Sequence, residues 1–125
     1  MKETEINTFE KVQTQLESLH SEISALTKKS QNDALNKFKL KFVNQALEEA
    51  NVILGKEYKP FANYDKFDEN DLPTNSDVTM ILGQYLNCME KLRADNIYQK
   101  LGSWYWRVNG KESYLRTSTP NKLKE

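Results

Sequence analysis

The sequence predicts a mainly α (α+β) domain: three helices, one long aromatic loop and a C-terminal two-stranded β-hairpin. Three observations carry this. Apolar residues recur at helical spacing through most of the first hundred positions. Residues 56–73 break that spacing with two prolines and four evenly placed aromatics. An Asn109-Gly110 pair then separates two runs of strand-forming residues.

The first helix is expected near residues 5–29. Phe9, Val12, Leu16, Leu19, Ile23 and Leu26 are spaced 3, 4, 3, 4 and 3 apart, a coiled-coil-like heptad seam on one narrow side of a helix. Two uses compete for such a seam: pairing with a second copy, or packing within the chain. Self-association is favoured, because the stripe is narrow and the remaining helices hold enough apolar surface for a small core. Residues 1–29 are therefore read as a dimerisation arm, and residues 30–125 as a helical domain closed by hairpin 103–116.

The second helix is placed at 31–54. Ser30 and Asp33 have capping-box spacing, and Gly55 suits a left-handed helix terminus. Leu35, Phe38, Phe42, Val43, Ala46, Ala50, Ile53 and Leu54 form one broad apolar face, with Lys37, Lys41, Asn44 and Glu48 toward water. The loop that follows carries Tyr58, Phe61, Tyr64 and Phe67 every three residues, a density that pins a long connection onto a core. Thr74 opens a third helix expected over 75–100, with Val78, Ile81, Leu82, Tyr85, Met89 and Leu92 on its inner face. Gly83 lies off that stripe, where a neighbour can approach closely.

Asn109-Gly110 supplies the positive φ angles of a type I′ turn. The register counted back from it pairs Val108 with Lys111, Arg107 with Glu112, Trp106 with Ser113, Tyr105 with Tyr114, and Trp104 with Leu115. One face then carries Trp104, Trp106, Val108 and Leu115; the other carries Tyr105, Tyr114 and the Arg107–Glu112 pair. From Thr117 the polar tail is expected to fray.

Composition narrows the function classes. Eighteen basic and eighteen acidic side chains cancel, so no whole-molecule electrostatic grip on nucleic acid or an anionic membrane is expected. Charge is nevertheless bipolar: residues 1–26 hold two lysines against five glutamates, and residues 28–41 hold five lysines against Asp33. One cysteine, Cys88, excludes an intrachain disulfide and a multi-cysteine metal site, and fits a reducing cytoplasm. No apolar run reaches the roughly 18–20 residues that span a bilayer, and the first residues lack a signal-peptide layout.

Catalysis is poorly supported, and no enzyme is expected. His20 is the single histidine, on the edge of the seam, and Cys88 has no electropositive activator nearby in sequence. Asp65, Asp68, Glu69, Asp71 and Asp77 invite a calcium reading but fail the EF-hand template, which needs a glycine at position six and a carboxylate at twelve. Four widely separated glycines make no phosphate loop. No catalytic residue, cofactor or metal is assigned.

The expected function is a non-enzymatic protein-interaction or regulatory module, a cytoplasmic homodimer with a further protein partner. Small, cofactor-free, Lys/Asn-rich chains of this kind include accessory and inhibitor proteins of phages and mobile elements, an association rather than a derivation. Self-association is assigned to Phe9, Val12, Leu16, Leu19, Ile23 and Leu26. Partner binding is assigned to the hairpin residues Trp104, Tyr105, Trp106, Arg107, Lys111, Tyr114 and Arg116, types enriched at interface hot spots. The same residues could stack bases and neutralise phosphates, so a nucleic-acid-binding regulator is the alternative, possible on this chemistry but less favoured.

Overall fold

The computed structural model describes residues 1–120 of the chain. Three helices, α1 (Glu3–Ser30), α2 (Lys37–Tyr58) and α3 (Asn75–Ala94), pack pairwise on one another. Three antiparallel strands follow, β1 (Ile97–Lys100), β2 (Ser103–Val108) and β3 (Lys111–Thr117), in the order β1-β2-β3. No described helix is long and apolar enough to cross a membrane.

The heptad seam is used inside the chain. Phe9, Val12, Leu16 and Ile23 are fully buried, and Leu19 and Leu26 pack half-buried at the edge of the same core. The physical reason lies in α2, which carries its own 3-4-3-4 series, Leu40, Val43, Leu47, Ala50 and Leu54, all buried. Two narrow stripes and the inner face of α3 fit together as a three-helix bundle. Residues of all three helices and of the sheet belong to one core cluster.

That packing corrects the face expected for α2. Phe38 and Phe42 lie about 160–200° around the helix from Leu40 at 100° per residue. They are accordingly exposed, at 71% and 42%. Asn44, expected toward water, is buried and grips the aromatic loop. Its side-chain amide donates to the Phe67 carbonyl (3.0 Å), and its carbonyl oxygen accepts from the Phe67 N–H (2.9 Å). The loop rings stack edge to face, Phe61 on Tyr64 and Tyr64 on Phe67, so the connection is docked as its spacing suggests. Burial also raises the Tyr85 phenol beneath the loop, whose hydroxyl donates to Asn51.

Helix ends differ from expectation in two places. α1 continues through Ser30, and the N-cap of α2 is Asn36, whose side chain accepts from the Lys39 N–H (2.8 Å). The segment between them is claimed by α3 instead: Asn75 N–H donates to Asp33 O, Ser76 N–H to Gln31 O, and the Asn75 side chain to Ser30 O. Thr74 caps α3 as expected, accepting from Asp77 N–H (3.1 Å). Gly55 has the positive φ expected of it (62°), but the chain resumes one more turn to Tyr58 beyond the kink. Gly83 is where α1 approaches α3, with His20 Nε2 3.7 Å from where a Cβ would stand.

The end of α3 is the larger correction. The helix stops at Ala94, and residues 97–100, expected to be helical, form a third strand. Leu101-Gly102 closes β1 onto β2 with φ angles of 52° and 83°, the same doubly positive pattern as Asn109-Gly110 (54° and 76°). The expected tail is also held rather than frayed up to Thr119. Arg93, 4% exposed, forks onto Glu90 through Nε and Nη2 and donates to Thr117 Oγ1, Ser118 O and Thr119 O. The remainder of that tail, residues 121–125, lies outside the described residues.

Candidate binding face on the sheet

Near the turn the β2–β3 register is as counted, with Val108 opposite Lys111 and Arg107 opposite Glu112. It then slips: Tyr105 pairs with Arg116 and Trp104 with Thr117, not with Tyr114 and Leu115. A bulge at Ser113–Leu115 takes up the two extra residues of β3. Ser113 stands in for the missing ladder bonds. Its hydroxyl donates to Trp106 O (2.6 Å) and accepts from the Leu115 N–H (3.1 Å).

The sheet separates the seven expected binding residues into two groups. Trp106 is buried and meets Phe9 edge to face at 5.2 Å, and Trp104 packs half-buried on the same core. Both tryptophans therefore anchor the sheet to the helices and have little surface to offer a partner. Tyr105, Arg107, Tyr114 and Arg116 belong to the opposite, outward face, with Lys111 exposed at the turn.

Strand β1 and its turn complete that face with Tyr98, Lys100 and Leu101, where a continued third helix was expected. Tyr98 stacks tilted on Tyr105 (5.7 Å) and exchanges hydrogen bonds with the Ser113 backbone, donating to its carbonyl and accepting from its N–H. Arg107 lies over the Tyr98 ring at 5.5 Å, and Arg116 over Tyr105 at 5.9 Å. Lys100 reaches Glu112 across the sheet (3.4 Å), and the hydrogen bond with that carboxylate raises the lysine's pKa. A shallow depression of about 220 Å³ lies among Tyr98, Lys100, Tyr105, Glu112 and Tyr114. At its margin Leu101 is 97% exposed and Tyr114 94% exposed.

Two turn-type pairs eight residues apart, Leu101-Gly102 and Asn109-Gly110, are the signal that could have revealed β1. Two of the acidic loop residues have structural partners. Asp68 caps a 3₁₀ turn (Glu69–Asp71) by accepting from Asn70 N–H, and Asp65 pairs with Lys59. Among the described residues no three metal-ligating side chains gather.

No protein-family model matches this chain, and no curated protein or solved structure is similar enough to match it.

Proposed function

We propose that this chain is a non-enzymatic interaction module, of a regulatory or accessory kind, that binds a protein partner through the outward face of its sheet. One observation carries the reading: two large apolar side chains, Leu101 and Tyr114, stand almost wholly in solvent beside an ordered tyrosine–arginine cluster. Neither side chain contributes to the core, so their burial is available to a partner. Rigid tyrosines and arginines already held in place lose little freedom on docking.

The cluster suits a protein better than a strand of bases. Arg107 covers Tyr98, Arg116 covers Tyr105, and Tyr98 is 8% exposed, which leaves Tyr114 as the freely accessible ring. Successive bases need successive open rings. A nucleic-acid role draws support from Lys100, Arg107, Lys111 and Arg116 around the single acid Glu112, and it predicts steep salt dependence.

A photo-reactive amino acid at position 114, expressed in the native host, tests the proposal. It is expected to capture one protein that the same group at Met80 on α3 does not capture, and Leu101→Ser should abolish that capture. Equal capture from both positions would defeat the protein reading. Adducts with nucleic acid alone would install the alternative.

A further inference from the structure

The seam of α1 is spent inside the chain, but the outer face shared by α1 and α2 is not. These helices run antiparallel: Glu22 meets Lys39, Leu19 lies by Phe42, and Thr8 lies near Val52 and Ile53. Phe38, Phe42 and Val52 are the large apolar residues that α2 exposes, and all three fall on its outer stripe. The two phenylalanines stack edge to face at 5.0 Å. Beside them a groove of about 400 Å³ is lined by Thr14, Gln15, Ser18, Leu19, Gln45 and the Phe42 ring, with no charged side chain. A neutral centre with aromatic anchors inside a charged rim is the anatomy of a protein interface.

The rim names the occupant. Along the α2 stripe the charge changes sign: Lys37 and Lys41 flank Phe38, and Glu48 and Glu49 precede Val52, while Lys39 and Glu48 also pair within the chain with Glu22 and Lys66. A second copy laid face to face, with its two-fold axis in the interface and perpendicular to the helices, sets each basic end on the partner's acidic end. The stripe on α2 is symmetric about Gln45 in the way this axis requires. Seven residues before it stands Phe38 and seven after it Val52; four before it stands Lys41 and four after it Glu49. Gln45 then meets its own copy, Phe38 meets the second Val52, and Lys41 meets the second Glu49. From Phe38 to Val52 the stripe runs about 21 Å at 1.5 Å per residue.

We infer that this protein forms a two-fold dimer through the outer α1/α2 face, with the α2 helices antiparallel and crossing at Gln45. The face is separate from the sheet, so each can fail without the other.

Sedimentation equilibrium of the full chain tests the inference. The wild type should be dimeric, and Phe38→Glu/Phe42→Glu should weaken the dimer about 30-fold or more, as loss of central anchors does. Both residues are exposed, so the helical circular dichroism should persist. Lys41→Glu and Glu49→Lys should each weaken the dimer, and the combined swap within one chain should recover it. Oxidised Gln45→Cys should crosslink to itself. Tyr114→Ala should leave the dimer intact. A wild type that stays monomeric to its solubility limit overturns the inference while leaving the sheet proposal standing. A dimer indifferent to the phenylalanine pair, or one lost in Tyr114→Ala, overturns it as well.

Discussion

Arg93 is the side chain whose loss should reveal most about how the sheet is held to the helices. Its guanidinium is buried, forks onto Glu90 at 2.9 and 2.7 Å, and donates to Thr117 Oγ1 (2.7 Å), Ser118 O (2.8 Å) and Thr119 O (3.1 Å). Arg93→Met keeps much of the volume and removes the charge, leaving the 5%-exposed Glu90 without its guanidinium and three acceptors of the C-terminal segment without their donor. Breaking one side of a buried pair costs about 3–5 kcal/mol. Against a total stability of about 5–15 kcal/mol that is a large share. For a chain between the small and medium size classes, the melting temperature should fall by roughly 10–20 °C. Urea unfolding followed by far-ultraviolet circular dichroism measures it, with the midpoint moving and the slope unchanged. Glu90→Met/Arg93→Met should recover part of the loss, since replacing both residues removes the buried carboxylate together with its guanidinium. A cost for Arg93→Met below about 1 kcal/mol, or a double variant as unstable as the sum of its singles, would refute the argument.

Asn44→Ala should cost about 2–3 kcal/mol, because it removes both bonds to the Phe67 backbone, and hydrogen exchange at Phe67 should accelerate more than exchange in α3. Leu101→Gly relieves a left-handed leucine with no buried side chain; it should raise the unfolding free energy measured in urea by up to about 1 kcal/mol while weakening capture of the partner. Tyr58 donates to Asp95 (2.7 Å), and that bond first, then burial, pushes its phenol up to about 12. A pKa raised in the folded state means stability complete below the unfolded value near 10 and lost as pH rises toward 12; the same bond lowers Asp95, whose share is lost as pH falls through its depressed folded value. Urea midpoints from pH 9 to 12 should therefore fall more steeply for the wild type than for Tyr58→Phe. A chain beginning at Ser30 should be unfolded by circular dichroism, since it forfeits five fully buried residues at about 1.5–3 kcal/mol each, a loss comparable to the whole stability.

Legibility in the sequence followed the strength of the local signal. The six apolar residues expected on the inner face of α3 are all buried, because Val78 to Leu92 has one period, a threonine cap and no competing stripe. The Asn109-Gly110 turn was equally plain. β1 was missed because no glycine or proline interrupts residues 84–101, and Leu101 is a residue type that rarely marks a left-handed turn. The register slip at Ser113 was invisible because it rests on a serine hydroxyl replacing backbone bonds, which alternation does not encode. Nothing local in the sequence marks Glu90 and Arg93 for burial; the return of Thr117–Thr119 makes a buried site of them. On the sheet, four of seven residues assigned to binding share the outward face with Tyr98, Lys100 and Leu101, and the two tryptophans do not. Size and aromaticity marked all of them, but only the strand pairing decides which side each one takes.

The α2 helix shows what apolar periodicity reports. A 3-4-3-4 series marks residues that pack in a seam, and says nothing about whose seam it is. In this chain α1 and α2 each carry one, so they satisfy each other and α3 within a single molecule. The informative residues are five of the large apolar side chains left exposed: Phe38, Phe42 and Val52 on α2, and Leu101 and Tyr114 at the sheet. None is in phase with the core of its own element. A large apolar side chain out of phase with its core gains nothing from folding, and in water it carries a cost in solubility. Scattered singly such residues are ordinary, but here they gather on two faces, each with ordered aromatic neighbours and a charged margin. Residues that fold the chain and residues that offer it to others are thus drawn from different registers of the same helices and strands.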